Sequence, residues 1–459
     1  MRTPSLLPIL LCTLSWPQAA QAEPGSESEP EPGPVTEPSS DTETVTGSES
    51  ETGSGSDSES ALSAADEAAL LEALARDQAA DSGSDSDSES DSEPGPAPAP
   101  RRRRASSALQ SMNPDLSFIA DFALAALSDE DRQLQTGAHD PRANGFNLQQ
   151  LELSVGAAVD PYFRFDANIV YGQFGVEIEE AYGTTLDLPY GLQARAGQFL
   201  TRFGRINGSH PHTWFFADQP LAIGRLFGAE GNRGLGAELS WLSPLPWYVE
   251  LIASSTMAAG EATARSFYGP NDQGVHGPAD LQHTLVVEQF FPLGDDWSLA
   301  WGLSSAFGPN GTGRDNRTEI YGTDLYLKWR PITRQSVQIA SLHSEWFVRR
   351  RQVPAAVLQD VSGFTQLFWR FALRWAVAAR HDYGSPSYDG DLERRTDALD
   401  PDWRSHRHRF AANVTFWPSE FSRLRLQPSV DLPLWEEKPI YAVFLALELV
   451  TGAHGSHRF

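Results

Sequence analysis

The 459-residue chain contains a single cysteine and three methionines. Cys12 lies in the apolar run Leu6 to Leu14, after Leu11, where a lipid-attachment site would need a small residue. Once that leader is removed, no thiol is left for a disulfide or a thiolate metal site. The rest of the chain also lacks any stretch approaching the roughly 18 consecutive apolar residues of a membrane-spanning helix. A chain of this kind can cross a membrane only as a closed barrel. No Gly-x-Ser-x-Gly or metal-helix motif occurs, and Ser and His are scattered, so no enzyme is expected.

Bases are scarce too: 35 Lys and Arg stand against 61 Asp and Glu, a net charge of −26. The imbalance is local. Residues 23–100 hold 21 acids and only Arg76, whereas 101–459 hold 40 acids and 33 bases. The acidity therefore belongs to a tail, and no nucleic-acid partner is expected.

Residues 1–22 read as a signal peptide, with Arg2, the apolar run and Ala20-Gln21-Ala22 before Glu23. Residues 23–111 read as a disordered segment, rich in Ser, Glu, Asp and Pro with too little apolar surface to offset ordering entropy. Within it, 61–76 is Ala/Leu-rich and predicts a short helix, with Ser63 and Asp66 resembling a capping box. The Asp/Ser run from Asp81 to Glu93 lacks the Gly and terminal Glu of a calcium loop. Arg101 to Arg104 ends the segment, which is expected in the periplasm.

From Leu116 the texture changes. Phe163, Phe165, Ala167, Ile169 and Tyr171 alternate with Arg164, Asp166 and Asn168; Trp297, Leu299, Trp301 and Leu303 alternate with Ser and Gly. This is the period of strands with one apolar and one polar face. Sixteen candidates follow: 116–127, 146–159, 162–172, 174–186, 190–200, 233–242, 247–257, 281–291, 297–307, 318–329, 336–348, 361–371, 373–383, 405–417, 421–432 and 440–450. Short, often Pro-bearing turns alternate with longer polar loops at 129–145, 201–232, 258–280, 308–317, 349–360 and 384–404. Residues 112–459 are thus expected to form an all-β, transmembrane antiparallel β-barrel of about sixteen strands in the outer membrane. Trp241, Trp247, Trp297, Trp329, Trp375 and Phe416 fall near strand ends, as in interfacial girdles facing lipid and lipopolysaccharide. The terminal Phe459 resembles the signal read by the barrel assembly machinery.

If the apolar face meets lipid, the alternate residues line the lumen. Strands two to seven then contribute Glu152, Asp166, Glu177, Glu179, Glu238 and Glu250, with Arg164 and Arg195. Strands thirteen to fifteen contribute Arg374, Arg380, Arg407, Arg409, Arg423 and Arg425, with Asp382 and Asp431. Acid facing base across a lumen sets a transverse field that orients small polar solutes. The competing expectation is local cross-strand pairing. In the 201–232 loop, His210, His212 and Asp218 are candidate zinc ligands; otherwise no cofactor is expected.

The stretch Gly145 to Ser154 followed by Asp160 to Phe163, the stretch Arg195 to Arg205, and the ending Gly452 to Phe459 resemble a porin-like family of bacterial outer-membrane barrels. Its members are often labelled zinc-regulated TonB-dependent outer-membrane receptors. The resemblance covers 112–459 and implies a channel for passive or selective diffusion of small polar solutes or ions, with a homotrimer as a further expectation. The receptor label implies a barrel of about 22 strands filled by a folded plug, which this chain is too short to supply. A structural or adhesive barrel is the third reading.

Overall fold

The computed structural model describes residues 114–452 apart from 133–136, 173–174, 261, 272, 314 and 333–336. The expected signal peptide, the acidic segment with its helix at 61–76, the Arg101–Arg104 cluster, and His454, His457 and Phe459 lie outside the described residues.

Sixteen long strands follow one another. They are β1 (Asp115–Leu127), β2 (Gly145–Ala158), β3 (Phe163–Gly172), β4 (Gly175–Thr185), β5 (Leu192–Leu200), β6 (Arg233–Leu242), β7 (Tyr248–Met257) and β8 (Leu281–Leu293). Then come β9 (Trp297–Pro309), β10 (Arg317–Trp329), β11 (Ile339–Val353), β12 (Ala356–Ala372), β13 (Trp375–Gly384), β14 (Arg407–Ser419), β15 (Ser422–Pro433) and β16 (Ile440–Gly452). Each pairs antiparallel with the next, and β16 returns to β1, from Ser117 opposite Gly452 to Leu127 opposite Ala442. The sheet is closed, so it has no free edge, the condition a sheet must meet in lipid. A two-residue ladder, Ser387–Tyr388 with Arg394–Arg395, decorates the loop after β13. Sixteen strands also leave no support for the receptor label, which implies about 22.

The side-chain period sets the two faces. On β1, Ser117, Ile119, Asp121 and Ala123 are buried, while Leu116, Phe118, Phe122 and Leu124 are exposed on the outside. Exposed Leu, Val and aromatic side chains recur on the outer face of every strand from β1 to β16 except β5 and β11's ends, and a continuous apolar surface of that extent suits lipid rather than water. Trp297 on β9 lies opposite Trp329 on the neighbouring β10, and Trp375 packs on Phe416 with centroids 4.6 Å apart. All six aromatics singled out above sit at the turn end of the barrel. A second set, with Phe307 on Tyr321 and Trp346 on Tyr383, lies towards the loop end.

Among the described residues, no helix is long and apolar enough to cross a membrane. One expected loop is absent. Residues 349–360 are not a polar excursion: β11 and β12 run through them to a tight turn at Pro354-Ala355, with Val353 opposite Ala356. The run Arg349-Arg350-Arg351 reads as loop by charge, but Arg349 and Arg351 point inwards and are buried against acids.

Two bulges reshape the lumen face. On β2, Asp121 faces Gln150 and Phe122 faces Leu148, leaving Gln149 as the extra residue. On β4, Asn168 faces Glu180 and Ile169 faces Ile178, leaving Glu179 extra. Each bulge turns two consecutive polar side chains inwards.

The outward face carries a depth-dependent expectation. Leu445→Arg, at the middle of β16, is expected to cost about 2–4 kcal/mol of unfolding free energy in lipid, against about 0–1 kcal/mol for Tyr441→Arg near the loop end. Reversible denaturant unfolding in bilayers checks it; equal costs at the two sites would contradict the placement.

Candidate functional site

The 201–232 loop, between β5 and β6, folds into the barrel. Its neck is tied by Asn207, whose Oδ1 accepts the Asn232 N–H at 2.7 Å and whose Nδ2 donates to the Thr201 carbonyl at 2.9 Å. Gly204, at φ +65°, turns the chain inwards so that the backbone N–H of Ile206 donates to Glu345 on β11 at 2.7 Å. Arg202 pairs with Glu238 at 2.8 Å and with Glu250 at 2.9 Å.

The segment then divides by character. A single short helix, α1 (Leu221–Leu226), is wholly buried. With Phe203, Ile206 and Phe227 it packs on Ala258, Ala264, Phe267 and Tyr268 of the 258–280 loop and on the inward Ala306, Ile320, Phe347 and Phe364 of β9 to β12. This is an apolar core inside the lumen, which the alternation of polar inward residues does not predict.

The other part of the segment lies between two charged walls. On one wall Glu152 (β2), Glu179 and Glu180 (β4) meet His210 and His212. His210 Nε2 is 2.9 Å from Glu180 Oε2, its Nδ1 is 3.3 Å from Glu179 Oε2, and His212 Nδ1 is 3.3 Å from Glu152 Oε2. His139, from the loop after β1, adds Nε2 at 2.7 Å from Glu179 Oε1 and 3.6 Å from Glu230 Oε2. Burial disfavours charge on His139 and His210, but the surrounding carboxylates prevail and hold both well above the ordinary histidine range.

On the β13–β15 wall, separated from β2 by two strands round the barrel, Asp218 meets bases. It pairs with Arg380 at 2.9 Å and Arg409 at 2.7 Å, and its Oδ1 accepts from Gln427 at 2.6 Å. Burial pushes the Asp218 carboxyl up, yet Arg380 and Arg409 hold it below the usual range. The carbonyl of Trp214 accepts from Arg425 at 2.9 Å, and that of His212 from Arg423 at 2.8 Å. Arg407 pairs with Asp431, and Arg423 with Glu448.

Most of the expected lumen residues are therefore inside the barrel, but the loop, rather than open water, stands between the acidic and basic walls. Asp166 pairs with Arg164 at 2.8 Å, Arg195 with Glu238 at 3.0 Å, and the half-exposed Glu177 with Arg233. Arg374 is a correction: it shares the inward parity of β13 but lies beyond its end, exposed in the Leu373-Arg374 turn. Asp218 is a second correction. It is bound by arginines across the lumen and does not join His210 and His212. Ligand atoms converge instead in two groups, His139 with Glu179 and Glu230, and Glu152 with Glu179 and His210, each within 4.8 Å of one another.

Sequence reasoning missed Glu180, because strict alternation places it on the lipid side; the doubled Glu179-Glu180 is the signal for its bulge. It also missed a buried knot at the loop end. There Arg225 reaches Asp400 at 3.0 Å, and Arg349 reaches Asp400 at 2.8 Å and Asp360 at 2.9 Å. Arg225 also lies over the Trp403 ring at 3.8 Å. Burial alone would raise the Asp400 carboxyl, but Arg225, Arg349 and Arg265 hold it well below the usual range. A small cavity of about 20 Å³ beside the loop is lined by Asp121, Gln149, Arg423, Arg425 and Glu448 among others.

No family model matches the chain. A protein of Aquifex aeolicus (strain VF5), described only as uncharacterized, is 29% identical over 384 residues, 75% of this chain and 80% of its own. Among solved structures the chain is similar to Pseudomonas putida OprB at high pH, with TM-score 0.49, 10% identity, and 76% and 96% of the two chains covered. It is similar to the outer membrane channel DcaP of Acinetobacter baumannii, with TM-score 0.48, 11% identity, and coverage of 74% and 97%. An anion-selective porin from Comamonas acidovorans gives TM-score 0.47, 10% identity, and coverage of 74% and 99%. The barrel itself rests on its own strand pairing and not on these likenesses.

Asp218→Ala leaves Arg380 and Arg409 with only Asp382 and Asp431. The expected cost is roughly 3 kcal/mol, the lower end for a broken buried pair, with faster amide exchange at residues 214–221. Unchanged exchange there would remove Asp218 as the anchor.

Proposed function

We propose that the protein is an outer-membrane channel for small polar solutes or ions, with the 201–232 loop as its constriction. The observation that carries this reading is the loop itself, pinned by His210 and His212 to acids and by Asp218 to bases. A closed barrel with a lipid-suited exterior needs no such device merely to fold, whereas a channel needs a narrow, charged passage. A cavity of about 20 Å³ beside Asp121, Arg423 and Glu448 lies against the loop. Assembly as a homotrimer belongs to the same reading, because it would cover part of the apolar exterior.

Full-length protein inserted in planar bilayers is expected to give small, discrete conductance steps. Arg423→Glu is expected to move the reversal potential under a salt gradient towards cation preference. Silent bilayers containing folded barrel would remove the channel reading, and conductance with an unmoved reversal potential would take Arg423 out of the constriction.

A further inference from the structure

The acidic wall contains an arrangement that hydrogen bonding alone does not satisfy. His210 Nε2 faces Glu180 Oε2 at 2.9 Å, so that nitrogen carries the proton it donates. Its Nδ1 then turns towards Glu179 Oε2 at 3.3 Å and Glu152 Oε1 at 4.0 Å. Glu152 and Glu179 are 1% and 5% exposed, and Glu152 Oε2, Glu179 Oε2 and His210 Nδ1 have no hydrogen-bond partner. The three atoms thus converge in a buried place where negative charge needs a positive partner, which either a proton on His210 Nδ1 or a cation in its place supplies. Something positive belongs among them.

We propose that Glu152, Glu179 and His210 form a binding site for a divalent transition metal of the zinc type, with His212 beside Glu152. Four features support this. Zinc–ligand bonds of about 2.0–2.1 Å place tetrahedral ligand atoms roughly 3.3 Å apart. His210 Nδ1 lies at that spacing from Glu179 Oε2 and at 4.0 Å from Glu152 Oε1, within a small side-chain adjustment of it. An imidazole with two carboxylates and a position left open suits zinc and its neighbours rather than calcium. His210 and His212 flank Pro211, and their rings stack at 5.7 Å with planes 9° apart, so both present nitrogens to one wall. Glu180, on the far nitrogen of His210, supplies the carboxylate–histidine–metal relay that fixes a ligating tautomer. The ion would tie the inward loop to β2 and β4. The inference goes beyond the channel reading and holds whether or not the barrel conducts.

The test is Zn²⁺ titration of full-length protein stripped with chelator, followed by calorimetry, with Co²⁺ as a spectroscopic probe of four-coordinate geometry. The expected result is one tightly held Zn²⁺ per chain and intense visible Co²⁺ bands. Glu179→Gln and His210→Ala are expected to weaken binding at least about 100-fold, and Glu180→Gln about 10–100-fold. His381, His406 and His408 form a second histidine group on the other face of β13 and β14; the double variant His381→Ala/His408→Ala is expected to leave Zn²⁺ binding unchanged. Absence of Zn²⁺ uptake by the wild-type chain would overturn the proposal and assign the positive charge to an imidazolium at His210. So would binding that survives Glu179→Gln and His210→Ala but is lost in the double variant. Because the wild-type Co²⁺ spectrum needs no substitution, a variant that fails to fold does not spoil the test.

Discussion

The interior of this barrel depends on pairing buried charge. A carboxylate or guanidinium withdrawn from water costs several kcal/mol unless an opposite charge and hydrogen bonds replace the lost hydration. The β2–β4 wall holds Glu152, Glu179 and Glu180 with no base of its own nearby among the contacts described. The β13–β15 wall carries Arg380, Arg409 and Arg425, partly answered by Asp382 and Asp431. The inward loop supplies both signs in the right order, His210 and His212 first and Asp218 afterwards. That order fixes which way the segment lies across the lumen, because the reverse placement would put histidines against arginines and an aspartate against glutamates.

Charge alone does not hold the segment. The apolar core formed by α1, Phe203 and Phe227 against β9 to β12 adds non-directional attraction, roughly 1.5–3 kcal/mol for each large side chain fully buried. The lumen is therefore unequal in character. One side is held by apolar contact and buried arginine–aspartate pairs, and a small cavity lies on the side of β1, β2, β15 and β16. The two kinds of attachment have different consequences. Packing on β9 to β12 fixes the loop's position, whereas the charged contacts on the other walls set the electrostatics of the cavity.

The barrel was legible because its signal is repeated. Each strand alone is weak, but sixteen segments with the same period and alternating turn lengths admit few other folds. The outward face was legible for the same reason: lipid demands an apolar residue at every second position. The interior was less so, since an inward position tolerates Ala306 or Phe347 as readily as Glu152, depending on what the loops place against it. Loop conformation is not periodic, so nothing in the sequence announced that Asp218 would cross to Arg409 while His210 stayed with Glu179. Arg349 and Arg351 misled for a related reason: a run of three arginines looks like a solvated loop until Asp360, Asp397 and Asp400 are placed beside it.

The doubled polar pairs could have been read. A strand with one face in lipid cannot afford a charge on that face, so Glu179-Glu180 and Gln149-Gln150 conflict with strict alternation. Either one side chain enters hydrocarbon, at a cost of a few kcal/mol for a charged group near the middle, or the strand inserts a residue and turns both inwards. The bulge is the cheaper solution, since it disturbs the ladder at one position only. Here it also does more than relieve a conflict. By bringing Glu180 inside, the β4 bulge gives His210 a partner for Nε2, which directs Nδ1 at Glu179 and Glu152. A one-residue irregularity in the wall thus determines how the loop's histidine is oriented.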